Sequence, residues 1–459
     1  RYFDKVTVNG VNRNRLLHIV TVRDPVGVDR LDEIHVIGGN CLKGSITVQG
    51  SKNTVLPMMA ASLLQEESCV LRDCPRISDV FCMEEILRML GAATWWNGHD
   101  LHLDCRMVTG TEISSEYTGR MRCSVILLGA LLGRMQQGMI GYPGGCVIGE
   151  RPVDLHLYAL KCLGTEIREK EGRIHAVCKK LKGNEIVFRK RSVGATEQAL
   201  LAAVLAEGET VIRNCAKEPE VVWLCRFLRK MGAQISGEGE ECIRIQGVSS
   251  LHGVQMEIPA DRIVTGTYLC AAAATRGKIA VTNAPEGELD AFLEVYRKMG
   301  GQYEWNSGKL IADGSGIRFP VPFVETEAYP GFPTDLQSPL LAVLATIRGE
   351  SHIRENIFEN RFKICDELAQ MGAVVVPEGR NVRITGGRLH GGRMRAEELR
   401  GGAALMIAAL AADGKSVIAG SSFIRRGYED ICRDLRMLHA DVYESDPAEE
   451  ERFDHRGYR

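Results

Sequence analysis

The pattern of apolar and polar positions repeats along this chain about every 70 residues. Amphipathic segments end in a Leu or Met, then Gly or His, then a small residue, and these endings begin at Leu90, Leu163, Met231, Met299, Met371 and Leu438. The successive spacings are 73, 68, 68, 72 and 67 residues. Six copies at nearly constant spacing predict an internal structural repeat.

A second helical segment recurs with the same period and is rich in Ala and Leu on every side. Its copies cover Lys52–Leu64, Arg122–Leu132, Gly194–Ala206, Arg262–Thr275, Thr334–Ile347 and Arg400–Ala412. A helix that is apolar all round is typically buried, and a turn and a short strand follow most copies, as in Glu207–Ile212. We therefore predict an α/β fold with two helices and about four strands in each repeat. One helix is buried, and the other lies between a neighbouring element and water.

Polar and charged residues stand where the buried segments begin. They are Lys52 and Asn53, Arg120 and Arg122, Ser192 to Gly194, Asp261 and Arg262, Asp335, and Arg400. Helix capping would account for Ser192 and Asp335, but not for the lysine and arginines, because cations oppose the helix dipole at this end. If the repeats form two domains of three, these helix ends can face one crevice, and their free N–H groups favour an anionic ligand.

Length and composition exclude several classes of protein. A chain of 459 residues is too long for one hydrophobic core. Its net charge is −2 and its charged residues are interspersed, so the sequence has no basic patch of the kind that binds nucleic acid or a membrane surface. The longest apolar runs, such as Gly402–Ala412, are too short to span a bilayer. The 15 cysteines form no CxxC pair, and the N-terminus does not resemble a signal, which favours free thiols over disulfides or zinc. We expect a soluble cytoplasmic protein of undetermined oligomeric state.

A glycine-rich segment, Pro143–Asp154, brings a thiol, a guanidinium group and a carboxylate close together in sequence. Its glycines favour a mobile loop. Cys146 has glycines before it and Arg151 five residues after it, a setting that makes a thiol reactive. The alternative is a glycine turn around an inert buried cysteine.

Seven short segments together resemble the enolpyruvyl transferase family, in particular its branch that acts on UDP-N-acetylglucosamine. They run in the family order from about Ile34 to about Val442. The segments are Gly50–Asn53, Pro143–Leu155, Ser192–Thr196, Asp261–Ile263, Phe332–Asp335, Phe358–Arg361 and Arg426–Glu429.

The resemblance implies two inside-out α/β barrel domains, each of three repeats. The first domain would comprise residues 34–49 and 261–445, and the second residues 50–260 with the Cys146 loop. The chain would cross between the domains near Gly50 and near Ala260. Residues 1–33 would form an N-terminal extension and residues 446–459 an acidic tail.

The resemblance also implies an activity. The enolpyruvyl group of phosphoenolpyruvate would move to the 3-hydroxyl of UDP-N-acetylglucosamine, with release of phosphate. This is the first committed step of peptidoglycan synthesis, and hence serves cell shape and cell division. No metal, cofactor, nucleic acid or membrane partner is implied. One alternative is a different acceptor, such as another nucleotide or shikimate 3-phosphate, although the shikimate branch lacks the cysteine loop. Another is an inactive binding paralogue.

Catalytic and phosphoenolpyruvate-binding roles follow from the matching positions. Cys146 would give a proton to the methylene carbon, could bind phosphoenolpyruvate covalently, and would be the target of fosfomycin. Asp335 would take the proton of the sugar hydroxyl, and Lys52 and Arg426 complete the catalytic set. The residues expected to bind phosphoenolpyruvate are Lys52, Asn53, Arg151 and Arg426, with Arg361 and Arg400 nearer its carboxylate.

The resemblance places the nucleotide sugar along three segments. The residues expected around the uracil are Arg151, Pro152, Val153, Asp154 and Leu155. Those expected around the diphosphate are Arg122, Lys190, Ser192, Val193 and Gly194. Asn53, Asp335 and Ile357 would face the glucosamine. The sugar nucleotide would bind first, and closure of the Cys146 loop would then exclude water.

Three positions depart from the family pattern. Val264, Phe81 and Trp223 stand where carboxylates are usual. Their loss either alters the polarity and closure of the hinge between the domains or is compensated by other residues.

Overall fold

The computed structural model describes residues 32–144, 148–149 and 152–445. In this part of the chain, 24 strands form six separate four-stranded sheets. The strands are β1 Glu33–Ile37, β2 Lys43–Thr47, β3 Ser68–Arg72, β4 Ala93–Asn97, β5 Asp100–Asp104, β6 Glu112–Ile113, β7 Gln137–Gly141, β8 Glu166–Lys170, β9 Arg173–Val177, β10 Glu185–Val187, β11 Glu209–Arg213, β12 Gln234–Ser236, β13 Cys242–Gln246, β14 Gln255–Glu257, β15 Lys278–Thr282, β16 Gln302–Asn306, β17 Lys309–Asp313, β18 Val324–Glu325, β19 Gly349–Arg354, β20 Val374–Glu378, β21 Asn381–Gly386, β22 Arg393–Arg395, β23 Lys415–Ala419 and β24 Asp441–Glu444. Most of the predicted extension and all of the predicted acidic tail lie outside the described residues.

All six sheets share one pairing pattern: a parallel pair followed by two antiparallel pairs. The orders are β14-β3-β5-β4, β6-β7-β9-β8, β10-β11-β13-β12, β2-β15-β17-β16, β18-β19-β21-β20 and β22-β23-β1-β24. Alternate residues of most strands are buried, as at Leu101 and Leu103 of β5, because successive side chains point to opposite faces. The sixfold repeat predicted from the sequence is therefore present in the fold.

Fourteen helices lie between these strands in the described residues. They are α1 Lys52–Ala61, α2 Ser78–Met89, α3 Ser115–Arg120, α4 Leu127–Met135, α5 Asp154–Cys162, α6 Val193–Ala203, α7 Pro219–Lys230, α8 Arg262–Ala274, α9 Asp290–Lys298, α10 Gln337–Leu344, α11 Ile364–Gln370, α12 Leu399–Ala411, α13 Ser421–Ile424 and α14 Ile431–Met437. None of them is both long and apolar enough to cross a membrane.

The six apolar segments form the buried helices, as predicted. Helices α1, α4 and α6 pack together, and so do α8, α10 and α12. All 13 residues of α8 are buried. Two of the buried α-helices, α4 and α10, begin later than predicted. Short 3₁₀ turns precede them, at Arg122–Ile126 and Thr334–Leu336. Arg120 was expected where a buried helix begins, but it ends α3 instead and pairs with Glu85 on the surface.

The buried apolar residues in the described part of the chain form two separate hydrophobic cores. One contains residues between Val55 and Ile258, and the other contains residues of 34–48 and of 260–442. We call residues 50–260 the inserted unit and residues 34–49 with 261–445 the outer unit. These limits follow the sequence prediction and remain a proposal.

The chain passes between the units through two adjacent strands of backbone. Gly50 and Ala260 form an isolated antiparallel bridge, and Ser51 N donates to Pro259 O at 2.7 Å. Asp261 accepts hydrogen bonds from Ile263 N and Val264 N at the start of α8, and from Lys52 N at the start of α1. One carboxylate therefore caps the first helices of both units at their junction.

The three residues that depart from the family pattern have different surroundings in the structure. They are Trp223, Phe81 and Val264. Trp223 Nε1 donates to Glu288 of the outer unit at 3.1 Å, and Arg226 lies over the Trp223 ring. Phe81 packs against Trp96, and Val264 is fully buried in the outer core. Trp223 thus supplies a polar link between the units, whereas Phe81 and Val264 supply apolar packing.

Glu197 of α6 is an acidic residue inside the inserted unit, with only 4% of its surface exposed. Burial, followed by the charges of Glu220 and Glu218, raises its pKa from 4.5 to about 8. Between these two values the folded protein holds a proton that the unfolded chain does not. Stability therefore falls as pH rises through this window, by at most about 5 kcal/mol.

We expect the replacement Glu197→Gln to raise the free energy of unfolding at pH 8.5 by about 2 to 4 kcal/mol, because the amide carries no charge to bury. At pH 4.5 the gain should vanish. Urea denaturation at both pH values measures it, with Glu304→Gln on the surface as the control. An equal gain at both pH values would contradict the assignment.

Candidate active site

Asp335 lies between two arginines of the outer unit. Arg361 Nη2 donates to Oδ1 of Asp335 at 2.8 Å, and Arg400 Nη2 donates to Oδ2 at 3.3 Å. Burial raises the pKa of Asp335, but the positive charges of Arg400 and Arg361 outweigh it, and the pKa lies below its usual range. Asp335 is therefore ionised at neutral pH. Its oxygens bond arginines, and α10 begins without a side-chain cap, so capping does not explain this residue.

Arg400 stands in the first turn of α12, where a cation opposes the helix dipole. Glu398 compensates, because its carboxylate accepts hydrogen bonds from Arg400 N and Gly401 N. Arg400 Nη1 also donates to the hydroxyl of Tyr428 at 3.3 Å, and that hydroxyl shares a hydrogen bond with Thr267. Glu398 and Tyr428 thus hold the arginine in place.

Arg361 is 3% exposed. Its Nε and Nη1 have no hydrogen-bond partner among the residues that the structure describes. A buried N–H donor without a partner costs about 1–3 kcal/mol, more when the group is charged. The two free donors next to Asp335 therefore favour a bound anion.

A second ion cluster joins the two units. Asp79, in the first turn of α2, accepts a hydrogen bond from Lys52 Nζ at 2.7 Å. Arg426 of the outer unit donates Nε to Oδ1 of Asp79 at 2.9 Å and Nη2 to Oδ2 at 3.2 Å. Burial raises the pKa of Asp79, but Lys52 and Arg426 outweigh it and lower the pKa.

The two clusters act on each other electrostatically. The charge of Lys52 contributes to the lowered pKa of Asp335. The ion-paired side chains of the two clusters are two carboxylates, Asp79 and Asp335, and four cations, Lys52, Arg361, Arg400 and Arg426. The charge of Asp261 also acts on Arg400. Positive charges still outnumber negative ones, which suits a ligand with more than one anionic group. The predicted neighbour Asn53 is half-buried beside Lys52 in the first turn of α1.

The residues predicted to bind the nucleotide also come together in part. Arg122 donates to Pro152 O at 3.2 Å, and Val153 then precedes α5, which begins with Asp154 and Leu155. Ser192 caps α6 by accepting from Ala195 N. A side chain at Gly194 would collide with His156 of α5, since its Cβ would lie 2.8 Å from Nε2.

This close approach joins the predicted uracil and diphosphate segments, and the sequence pattern had indicated no role for His156. Val193 and Gly194 are half-buried at the start of α6, and Lys190 is exposed. The carboxylate of Asp154 is paired with Arg189.

Ile357 is linked to Asp335 through a buried carboxylate that the sequence did not indicate. Glu355 accepts hydrogen bonds from Ile357 N and, through its other oxygen, from the hydroxyl of Thr334. Glu355 is fully buried. It therefore ties the loop that carries Ile357 to the turn that carries Asp335.

Cys146 and Arg151 lie outside the described residues. The two described residues between them nevertheless contact the outer unit. Asn360 N donates to Ile148 O at 2.9 Å, and a Cβ at Gly149 would lie 2.6 Å from Oε2 of Glu359. The glycine-rich segment therefore touches the residues that immediately precede Arg361.

No group of three or more His, Cys, Asp or Glu side chains within the described ranges is arranged to hold a metal ion.

Comparison with known proteins decides the family. The sequence profile described as EPSP synthase (3-phosphoshikimate 1-carboxyvinyltransferase) matches residues 36–435. UDP-N-acetylglucosamine 1-carboxyvinyltransferase 2 of Caldanaerobacter subterraneus is 43% identical over 413 residues, which cover 90% of this chain and 99% of that relative. The chain belongs to the enolpyruvyl transferase family. UDP-N-acetylglucosamine 1-carboxyvinyltransferase of Thermus thermophilus is also 43% identical, over 91% of this chain and 97% of its own.

Solved enolpyruvyl transferases have the same fold. The enolpyruvyl transferase NikO from Streptomyces tendae aligns with a TM-score of 0.80 and 25% identity, covering 91% of this chain and 100% of its own. EPSP synthase from Acinetobacter baumannii aligns with a TM-score of 0.68 and 17% identity over 90% of this chain, so it shows the fold alone. The predicted fold class is confirmed.

Proposed function

We propose that this enolpyruvyl transferase moves the enolpyruvyl group of phosphoenolpyruvate to the 3-hydroxyl of UDP-N-acetylglucosamine and releases phosphate. As the first committed step of peptidoglycan synthesis, this reaction would take place in the cytoplasm. The observation that carries the proposal is Arg361, buried beside Asp335 with two free N–H donors among the described residues. Relatives that are 43% identical and named for this reaction support the choice of acceptor.

Phosphoenolpyruvate fits the two ion clusters because it carries two separate anionic groups. Its phosphate would lie against Lys52 and Arg426, and its carboxylate against Arg361 and Arg400. Carboxylates of the protein hold both pairs of cations. The cations are therefore preorganised, and little rearrangement is needed when the reaction begins.

The chemistry is an addition followed by an elimination. The oxygen of the sugar 3-hydroxyl forms a bond to C2 of phosphoenolpyruvate, Asp335 takes its proton, and C3 receives a proton from Cys146. In the elimination, the thiolate left at Cys146 takes a proton from C3, the C2–C3 double bond re-forms, and the bond from C2 to the phosphate oxygen breaks, so that phosphate leaves with the electron pair of that bond.

The base strength of Asp335 would depend on the binding of phosphoenolpyruvate. Burial raises the pKa of Asp335, but the charges of Arg400 and Arg361 outweigh it and lower the pKa. A carboxylate bound to these arginines would offset part of their effect, and the pKa of Asp335 would rise towards its ordinary value. Asp335 would thus become an effective base only when phosphoenolpyruvate is in place.

The nucleotide would lie along the inserted unit. The start of α6, with Ser192, Val193 and Gly194, offers backbone N–H groups to the diphosphate. Arg122 and Lys190 would also hold the diphosphate, and residues 151–155 would surround the uracil. Asn53 and Ile357 would face the glucosamine.

A phosphate-release assay with phosphoenolpyruvate and a set of acceptors tests the proposal. We expect release with UDP-N-acetylglucosamine and none with shikimate 3-phosphate or a second UDP-sugar. Release only with another acceptor would redefine the substrate. An absence of release with every acceptor, from protein that binds phosphoenolpyruvate, would favour the inactive binding paralogue.

A further inference from the structure

Asp79 lies in the candidate site, but the proposed chemistry gives this residue no role. It is 5% exposed, and its two oxygens bond the two cations assigned to the phosphate. Lys52 and Asp79 belong to the inserted unit, whereas Arg426 belongs to the outer unit. Asp79 therefore occupies the point where the phosphate side of the site is assembled from both units.

The backbones that carry the two cations are fixed without Asp79. Lys52 N donates to Asp261 at 3.1 Å. The segment 425–429 is bound across the units because Arg425 O accepts from Ser78 N, and Glu429 accepts from Arg76 N and contacts His99. Asp79 thus determines only where the charged ends of the side chains lie.

The ion pair with Asp79 leaves Lys52 able to bind an anion as well. A lysine ammonium has three N–H donors, and its contact with Asp79 uses one of them. A phosphate oxygen bound to another donor of the same ammonium would lie about 5 Å from the carboxylate, given ordinary hydrogen-bond lengths. At this distance the two negative charges repel each other.

We propose that Asp79 is a positioning residue and an internal counter-ion for the phosphate subsite, an inference that rests on the proposed function. It holds the ends of Lys52 and Arg426 in the arrangement that the departing phosphate needs. Its charge also weakens the binding of phosphate in the ground state, so that the product can leave.

The test uses the full-length protein and the variant Asp79→Asn. Titration calorimetry with inorganic phosphate should give a Kd about tenfold lower than that of the wild type, because the repulsion is gone. In turnover, kcat should fall about a hundredfold because the cations lose their arrangement. The KM for phosphoenolpyruvate should not rise. A disruption of the fold would raise KM instead, so this combination is specific to the proposed role.

The surface variant Asp104→Asn serves as the matched control, since Asp104 pairs only with Arg106 in the residues described. If Asp79→Asn does not fold, Asp79→Glu replaces it. The glutamate keeps the charge but moves it, so kcat should fall while the Kd for phosphate stays within threefold of the wild type.

Phosphate binding that is unchanged or weaker in Asp79→Asn would overturn the inference, and so would tenfold tighter binding in Asp79→Glu. If no acceptor supports turnover, the proposed function fails, but the phosphate titration still decides the role of Asp79.

Discussion

Replacing Asp335 by asparagine should lower kcat by about a thousandfold, since a positioned general base typically contributes a factor of about 10² to 10⁴. The amide keeps the shape of the side chain but cannot accept the proton of the sugar hydroxyl. Steady-state phosphate release at saturating phosphoenolpyruvate and UDP-N-acetylglucosamine measures the effect. Asp441→Asn, on an exposed strand position, is the control. A rate within tenfold of the wild type would exclude Asp335 as the base.

The same variant should also change stability in a defined pH range. The pKa of Asp335 is lowered in the folded protein, because the charges of Arg400 and Arg361 outweigh burial. Its contribution to stability is therefore present above the unfolded pKa of about 4 and is lost as pH falls below that value. Urea denaturation should show Asp335→Asn to be less stable than the wild type at pH 7 by about 3 kcal/mol, with the difference shrinking below pH 4.

Arg361→Gln should raise the KM for phosphoenolpyruvate by at least about a hundredfold, because charged hydrogen bonds to a buried carboxylate are worth about 1.5–3 kcal/mol each. The binding of UDP-N-acetylglucosamine, measured by calorimetry, should change by less than threefold. Arg361→Lys should restore little, since an ammonium cannot reproduce the planar fork of the guanidinium.

Arg383→Gln, on the surface of β21, is the control for this effect. Equal weakening of both substrates would point to a general disturbance of the outer unit. A KM for phosphoenolpyruvate within fivefold of the wild type would remove Arg361 from the site.

The sequence predicted the repeats and the buried helices because both leave a periodic pattern. The six apolar segments could be read directly, since a helix surrounded by protein needs apolar residues on every side. The 3₁₀ turns before α4 and α10 were missed because a short run of polar and apolar residues does not distinguish the two kinds of helix.

Partners of the site residues were harder to predict. Asp79 and Arg426 are 347 positions apart in the chain, and such a contact leaves no local signal. Glu355 and Tyr428 were missed for the same reason. Glu398 could have been found, because an acidic residue two positions before a cation at a helix start fits an N-cap. The roles assigned to Cys146 and Arg151 remain predictions from the resemblance.

The crossing at Gly50 and Ala260 has a consequence for how the two units are connected. Because the chain enters and leaves residues 50–260 through neighbouring positions joined by backbone hydrogen bonds, this segment has the geometry of a domain insertion. Its two ends almost touch, so it could be excised and the cut ends of the remaining protein joined by a short linker. A rotation of one core relative to the other must therefore have its hinge at these two adjacent backbone segments.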